Sequence, residues 1–222
     1  MEKLITAGLF GMMNSGTAYV IGAIVCVLVS YLIGSVNFTR IFVNKYDAFP
    51  DTMGLYKKAG GRVAFGAAAL DGLKGFLCAL IGLLLMPGDG YACLCTLFCL
   101  LGHAFPLWFK LKGAAVYIGA ALVMNPLMAL AAFFIGFLFY YMTSYLALGS
   151  IVFSLMFPLV VGRARLWDFT EEASRIFLVN KIFQSFLPMV ITLVIFVIYG
   201  SSIGRMVNSD EPKLPLRKEK SK

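Results

Sequence analysis

Charged residues are scarce in this chain of 222 residues. Only 14% of the residues are charged, whereas 60% are hydrophobic; soluble globular proteins carry about 25% charged and about 45–50% apolar residues. Residues 113–162 form a run of 50 residues without Asp, Glu, Lys or Arg. As a helix, this run would be about 75 Å long and could cross a hydrocarbon core of about 30 Å twice. The composition therefore excludes a soluble domain and predicts an all-α, polytopic transmembrane helical bundle.

Metal-ligating side chains are also few. The chain has one histidine, His103, and five cysteines. Cys93, Cys95 and Cys99 follow each other closely, but their neighbours are Leu, Ala and Phe, whereas a metal site needs polar groups around its ligands. We therefore expect no metal, and we interpret the cysteines as small apolar side chains within membrane segments.

The charges that the chain does carry are mostly positive. It has 19 Lys and Arg against 11 Asp and Glu, a formal net charge of +8. The positive residues lie mostly in predicted loops and in the C-terminal tail, where the positive-inside rule and attraction to anionic lipid account for them. No zinc pattern and no basic–aromatic motif accompanies them. We expect membrane lipid as a partner and no nucleic acid.

Seven apolar segments are predicted to form the bundle. Pro126 ends the fourth segment, and a break rich in small and polar residues at 144–150 precedes the sixth. The segments are residues 18–36, 63–86, 91–108, 114–124, 126–143, 151–162 and 182–200. The fourth and sixth are too short to cross a membrane alone and need neighbouring helices around them. We predict an interfacial segment at 1–16, one transmembrane domain at 17–204 and a basic tail at 205–222.

The distribution of Lys and Arg predicts the orientation of the bundle. With the N-terminus outside and seven crossings, residues 40–62, 110–112 and 205–222 place 13 basic residues on the cytoplasmic side, while the external segments hold five. The positive-inside rule favours this arrangement. We therefore predict a multi-pass protein with an external N-terminus and a cytoplasmic tail.

Two charged residues lie inside a predicted membrane segment. Asp71 and Lys74 are three residues apart and therefore share one face of a helix. Ionisable residues at membrane depth are costly and often functional. We interpret them as a structural ion pair that faces the bundle; the alternative is a functional pair.

His103 is the best catalytic candidate. It lies at the end of the third segment, beside Pro106 and ahead of Lys110 and Lys112. A general base would be placed in this way. An interfacial histidine that hydrogen-bonds a backbone carbonyl would have the same surroundings, and the sequence is compatible with both interpretations.

Two stretches could bind an anion. Ser35 lies in a stretch of small and hydrogen-bonding residues at 34–40, which either binds an anion at headgroup level or packs closely against a neighbouring helix. Lys57 and Lys58 precede Gly60 and Gly61 in the polar loop 37–62. They either hold a phosphate together with glycine amides or contact inner-leaflet lipid.

Three motifs together resemble one known family. Residues 31–36 (Y-L-I-G-S-V), 70–75 (L-D-G-L-K-G) and 102–113 (G-H-A-F-P-L-W-F-K-L-K-G) are similar to the family motifs Y-L-x-G-S, L-D-x-L-K-G and G-H-x-F-P-x-F-x-x-F-K-G. The order and spacing agree from about residue 25 to residue 205. The chain thus resembles the membrane-integral bacterial acyl-phosphate:glycerol-3-phosphate acyltransferases, which begin phosphatidic acid synthesis.

The resemblance implies a seven-helix protein of the bacterial plasma membrane with a role in phospholipid biosynthesis and lipid metabolism. It places the motifs on the cytoplasmic side. The family's acyl phosphate donor needs no metal or nucleotide, so the resemblance implies no cofactor. The candidates for substrate or phosphate binding are Ser35, Lys57, Lys58, Lys110, Lys112, Gly113 and Ser150.

Four family motifs that carry the chemistry are changed in this chain. The family's S-G-N-x-G-A-T-N is absent from residues 46–56, which read Y-D-A-F-P-D-T-M-G-L-Y, and G-G-K-G-V-A-T is shortened to G-A-A-V at 113–116. R-Y-V-S-L-A-S is replaced by S-Y-L-A-L-G-S at 144–150, and H-R-x-N-I-x-R-L by G-S-S-I-G-R-M at 200–206. Because losing one transition-state donor costs about 10²–10³ in rate, losing most of four motifs should abolish the reaction.

Two hypotheses about function follow. In the first, the chain is a pseudoenzyme that has lost the family reaction and acts as a lipid- or partner-binding membrane subunit. In the second, it is an active, divergent acyltransferase that moves an acyl group from acyl phosphate to glycerol 3-phosphate and makes lysophosphatidic acid. A transporter would need a polar pathway, which the uncharged middle of the chain does not supply.

Overall fold

The computed structural model describes residues 16–48, 52–85, 89–105, 114–167 and 175–213. All regular structure within these residues is α-helical. The helices are α1 (Gly16–Ser35), α2 (Phe38–Tyr46), α3 (Thr52–Ala59), α4 (Gly61–Leu85), α5 (Asp89–Ala104), α6 (Ala115–Met124), α7 (Pro126–Thr143), α8 (Leu146–Trp167) and α9 (Arg175–Val207).

Seven apolar stretches of these helices match the seven predicted segments. Four are long and apolar enough to cross a membrane: Val20–Tyr46, Gly61–Leu85, Pro126–Thr143 and Phe186–Val207. Three are shorter: Tyr91–Ala104, Ala115–Met124 and Leu146–Val160. Large apolar side chains such as Phe65, Leu127 and Leu193 are at least 66% exposed on the outside of the bundle, as lipid-facing residues are. The predicted all-α, polytopic membrane architecture is confirmed.

The boundary between α6 and α7 follows from Asn125 and Pro126. Pro126 begins α7, where its missing N–H group costs nothing, and the Asn125 side chain accepts a hydrogen bond from the Met128 N–H group at 3.1 Å. The Asn125 N–H group in turn donates to the Ala121 carbonyl at the end of α6. As predicted, α6 is short, with 10 residues.

The predicted break at 144–150 is wrong in its extent. Ser144 has a left-handed backbone with φ of 59° and ends α7, but α8 already begins at Leu146. The segment predicted at 151–162 is therefore part of a helix of 22 residues. The small residues of this stretch do not form a loop but allow close helix packing. Gly149, for example, lies against the Gly136 carbonyl of α7.

Within the polar stretch 37–62, the structure has two short helices, α2 and α3, instead of a single loop. Asn37 begins α2 by accepting a hydrogen bond from the Arg40 N–H group at 3.1 Å, and Asp47 ends it with a left-handed φ of 49°. Val43 of α2 and Leu55 of α3 pack with the start of α4 in a small apolar core.

Glycines bring the backbones of four helices into direct contact. Gly34 of α1 lies against the Cys99 backbone of α5, and Gly75 of α4 lies against the Val116 backbone of α6, in each case without room for a Cβ atom. Such contacts are typical of membrane helices, whose close approach depends on small residues. Polar side chains on α1, α4 and α5 can therefore reach each other across short distances.

Several predictions fall at the edges of the described residues. Residues 1–15 of the predicted interfacial segment and residues 214–222 of the predicted tail lie outside them. The last membrane segment, predicted at 182–200, lies within α9, which continues to Val207. All five cysteines are buried and unpaired by disulfides. The division into three regions stays a prediction.

Candidate functional site

Asp71 of α4 accepts the first N–H groups of α2. Its Oδ1 atom lies 3.1 Å from the Phe38 nitrogen, and its Oδ2 atom lies 3.1 Å from the Thr39 nitrogen and 2.6 Å from the Thr39 hydroxyl. The first amides of a helix have no acceptor within that helix, and an anion is favoured there by the helix dipole. The buried carboxylate, 1% exposed, therefore caps the N-terminus of α2.

Lys74 lies one turn further along α4 and binds the end of α1. Its Nζ atom donates to the Gly34 carbonyl at 2.9 Å and to the Val36 carbonyl at 2.6 Å, and it lies 3.2 Å from Asp71 Oδ1. The last carbonyls of a helix lack donors and favour a cation. The ion pair thus holds the junction at which α1 ends and α2 begins.

His103 of α5 completes this cluster through its Nδ1 atom. Lys74 Nζ lies 2.9 Å from Nδ1 and Asn37 Nδ2 lies 3.1 Å from it. Both partners are donors, because an ammonium has no acceptor and the Asn37 oxygen already accepts from the Arg40 N–H group. Nδ1 is therefore the acceptor, and a neutral ring carries its proton on Nε2. In this tautomer neither ring nitrogen has a free lone pair with which to act as a base.

The cluster is balanced in charge as well as in hydrogen bonds. Asp71 and Lys74 cancel, His103 is neutral, and all three side chains are at most 3% exposed. Burial of an unpaired charge is costly, so this balance is what allows the cluster to lie inside the bundle.

Within the ranges given above, no group of three His, Cys, Asp or Glu side chains is placed to hold a metal ion.

The other candidate residues make hydrogen bonds elsewhere, are exposed, or lie outside the described residues. The hydroxyls of Ser35 and Ser150 donate to the carbonyls of Tyr31 and Leu146, four residues earlier in their own helices, at 2.9 and 3.1 Å. The remaining candidates are exposed lysines of α3 or fall outside the described residues. The exposed ones are Lys57 and Lys58. Those outside the described residues are Lys110, Lys112 and Gly113.

Sequence reasoning placed Asn37 and Thr39 in the candidate anion-binding stretch 34–40 but did not predict their contacts with His103 and Asp71. Both are buried, at 7% and 4% exposure, and both make hydrogen bonds to the residues singled out above. The available signal was the position of Asn37 at the end of a long apolar run, since Asn is a preferred N-cap residue.

A second polar group, also missed, lies at the end of α9. Arg205 Nε lies 2.6 Å from Glu211 Oε2, and its Nη2 atom donates to the Ser202 hydroxyl at 3.2 Å. They border a cavity of about 70 Å³, which is also lined by Thr52, Met53, Leu146, Ala147, Tyr199 and Pro212.

An apolar groove adjoins this cavity. It has a volume of about 160 Å³ and runs between α6, α7 and α8. Its lining residues are Ile118, Phe133, Gly136, Phe137, Tyr140, Leu146, Gly149, Ser150 and Phe153. Leu146 lines both the groove and the Arg205 cavity, so the two spaces are neighbours.

Comparison with known proteins agrees with this architecture. The chain is similar to the crystal structure of PlsY (YgiH), an integral membrane glycerol 3-phosphate acyltransferase, in its lysophosphatidic acid form, with a TM-score of 0.73 and 22% identity. The match covers 86% of this chain and 95% of that one. The glycerol 3-phosphate form matches with a TM-score of 0.68 at 20% identity over the same shares of the two chains. The fold is therefore shared.

Sequence comparison extends the likeness. A glycerol-3-phosphate acyltransferase of Thermoanaerobacter sp. (strain X514) is 31% identical over 210 residues, which cover 89% of this chain and 98% of that protein. One of Nitrobacter winogradskyi is 41% identical over 114 residues, 49% of this chain and 55% of that protein. The family described as glycerol-3-phosphate acyltransferase matches residues 24–209. This integral membrane protein therefore belongs to the glycerol-3-phosphate acyltransferase family.

Proposed function

We propose that this chain is a lipid-binding membrane subunit that keeps the family fold and has lost the family reaction. The observation that carries the proposal is the use of Asp71, Lys74 and His103 within the fold. Lys74 contacts both other residues, His103 Nδ1 lies 4.0 Å from Asp71 Oδ1, and Asp71 and Lys74 cap the ends of α2 and α1. Residues that cap helix ends in this way stabilise the bundle whether or not a reaction takes place.

The family reaction requires groups beyond this cluster. Acyl transfer from acyl phosphate to glycerol 3-phosphate needs cations and fixed amide donors for two phosphates, together with a base for the attacking hydroxyl. His103 Nδ1 accepts from Lys74 and Asn37 and so has no free lone pair for that proton. The family's glycine–asparagine loop is missing from residues 46–56. These losses support a scaffold without turnover.

The proposed ligand is an anionic lipid. The apolar groove suits an acyl chain, and the adjoining cavity contains the guanidinium of Arg205. Support also comes from the structural neighbours, whose crystal forms are named for lysophosphatidic acid and glycerol 3-phosphate. A subunit of this kind would work beside a second membrane protein in the bacterial plasma membrane.

An acyl-transfer assay tests the proposal. Purified protein in detergent micelles is supplied with acyl phosphate and labelled glycerol 3-phosphate, and labelled lysophosphatidic acid is measured by thin-layer chromatography. The Thermoanaerobacter relative, purified in the same way, is the positive control. We expect product from the relative and none above the blank from this chain. Product above the blank from this chain would overturn the proposal.

The second candidate function is that of an active, divergent acyltransferase. Its support is the identity of 31% across 89% of the chain to a protein named for that activity. In this case Lys57, Lys58, Lys110 and Lys112 would bind the phosphates in place of the missing loops. Expression in a strain that lacks its own glycerol-3-phosphate acyltransferase, confirmed by blot, separates the two candidates. Growth supports the enzyme, and absence of growth supports the subunit.

A further inference from the structure

Four of the five cysteines lie together where α1, α4 and α5 meet. They are Cys26 of α1, Cys78 of α4, and Cys95 and Cys99 of α5, and the exposed fraction of each is zero. The helices come close enough for this because Gly34 of α1 lies directly against the Cys99 backbone. The polar cluster described above does not use any of these thiols.

The four thiols form two pairs, and each pair bridges an interface with α5. In the α1 pair, the thiol of Cys26 contacts the thiol of Cys95, whose Sγ atom also lies 4.0 Å from the Cys26 carbonyl oxygen. In the α4 pair, the thiol of Cys78 contacts the thiol of Cys99. A disulfide requires two side chains that point toward each other across a short distance, and both pairs meet this requirement.

A disulfide suits these surroundings better than a metal ion does. Cysteine binds metal as a thiolate, so a monovalent ion such as Cu⁺ between two thiolates would leave one net negative charge inside the bundle. An unpaired buried charge is costly. A disulfide is neutral and needs no hydrogen-bond partner. The pairs are therefore placed for oxidation to disulfides.

The oxidant has to reach these pairs from the lipid. Ile24 and Leu28, on either side of Cys26 in α1, are more than half exposed on the outer face of the bundle. When α1 separates locally from α5, the thiols therefore meet hydrocarbon, in which ionic oxidants do not dissolve. A quinone dissolved in the membrane is an apolar acceptor of two electrons, and quinones are the final acceptors for protein thiols in bacterial disulfide formation.

We propose that the α1 pair and the α4 pair are redox-active sites, each of which forms a disulfide when a membrane quinone oxidises it. In each pair two S–H bonds break and one S–S bond forms, and the two electrons and two protons pass to the quinone, which becomes a quinol. Four cysteines allow three ways of forming two bonds, and the contacts select this one. The two bonds link α1 and α4 covalently to α5, the three helices around the buried ion pair. The inference does not depend on whether the chain catalyses acyl transfer.

Two oxidants test the proposal on the full chain. The protein is purified in detergent micelles, reduced, freed of reductant and treated with decylubiquinone or, at the same concentration, with glutathione disulfide, which is ionic. The remaining thiols are counted after denaturation by the gel shift that a maleimide polymer gives, and bonds are located by peptide mass spectrometry. We expect the quinone to remove four of the five thiols, leaving Cys93, and glutathione disulfide to remove none in the same time.

Single substitutions test the pairing. In Cys95→Ala we expect Cys26 to stay reduced while the α4 pair still forms its bond, and Cys99→Ala should have the converse effect. Cys93→Ala is the matched control, because Cys93 is a buried cysteine of the same helix whose Sγ atom lies 3.6 Å from Met124 Sδ, a thioether that cannot form a disulfide. This variant should lose the same four thiols. Cys95→Ser and Cys99→Ser, which preserve the size of the side chain, repeat the test if an alanine variant aggregates during size-exclusion chromatography.

Each outcome decides the inference. Bonds within the two pairs, each prevented only by the substitution in its own pair, support it. A different pairing, bonds between two chains, or five reactive thiols after quinone treatment would overturn it. Oxidation by glutathione disulfide at the same rate would overturn the assignment of a lipid-dissolved oxidant. Because no turnover is measured, the outcome of the acyl-transfer assay leaves this inference untouched, and the two can fail separately.

Discussion

Asp71 and Lys74, one turn apart on α4, cap opposite ends of two successive helices. The carboxylate accepts from the first amides of α2, and the ammonium donates to the last carbonyls of α1. The two charges lie 3.2 Å apart, so each stabilises the other in the position in which it caps a helix. This arrangement gives the buried ion pair a structural role at the junction between α1 and α2.

Removing one charge of the pair should destabilise the protein more than removing both. Asp71→Asn or Lys74→Met leaves the other charge buried without a partner, which typically costs about 3–5 kcal/mol. We expect the double variant to lose less than the sum of the single losses, as measured by thermal unfolding in detergent. Lys57→Met, which removes an exposed charge, is the control and should change nothing. Strictly additive losses would contradict the pairing.

The role of His103 as an acceptor predicts which substitutions it tolerates. In His103→Ala, Lys74 and Asn37 lose the ring nitrogen as an acceptor and keep their other partners, at a cost of about 1–3 kcal/mol. His103→Asn places a carbonyl oxygen near the former Nδ1 position and should keep most of the stability. Thermal unfolding of both variants in the same detergent decides the matter. Equal losses in the two variants would show that the acceptor at this position is not needed.

Close backbone contacts predict opposite effects for two glycines of α4. In Gly75→Ala the new Cβ atom would overlap the Val116 backbone, so we expect a loss of about 1–3 kcal/mol. Gly66 has nothing within 4 Å of the corresponding position. Gly66→Ala should therefore gain about 0.5–1 kcal/mol from reduced backbone entropy. Apparent melting temperatures that move in the same direction would contradict the packing described here.

The orientation predicted from the Lys and Arg count is open to direct labelling. The five native cysteines are buried, so a membrane-impermeant thiol reagent should report on introduced cysteines with little background. We expect Ser15→Cys to be labelled in intact cells and Ser209→Cys to be labelled only after the membrane is opened. Labelling of Ser209→Cys from outside intact cells would show that the orientation is the opposite of the predicted one.

Local patterns in the sequence account for the membrane helices and for part of the cluster. The spacing of Asp71 and Lys74 already places them on one face of a helix. It does not indicate His103 or Asn37, because their contacts depend on how α1, α4 and α5 pack through glycines. The stretch 144–150 was misinterpreted for a related reason: small residues favour both loops and close helix packing, and only the neighbour, Gly136, decides between them.

The buried cysteines can be used to measure local opening of the helix bundle. Cys26 of α1, Cys78 of α4 and Cys95 of α5 belong to one core and are fully shielded from solvent. A thiol in such a place reacts only after its helix separates from the others, so the rate of modification measures the free energy of that separation. If α1, α4 and α5 open as one cooperative unit, the three thiols will be modified with a single time course. A helix that opens by itself will instead reveal its own cysteine first.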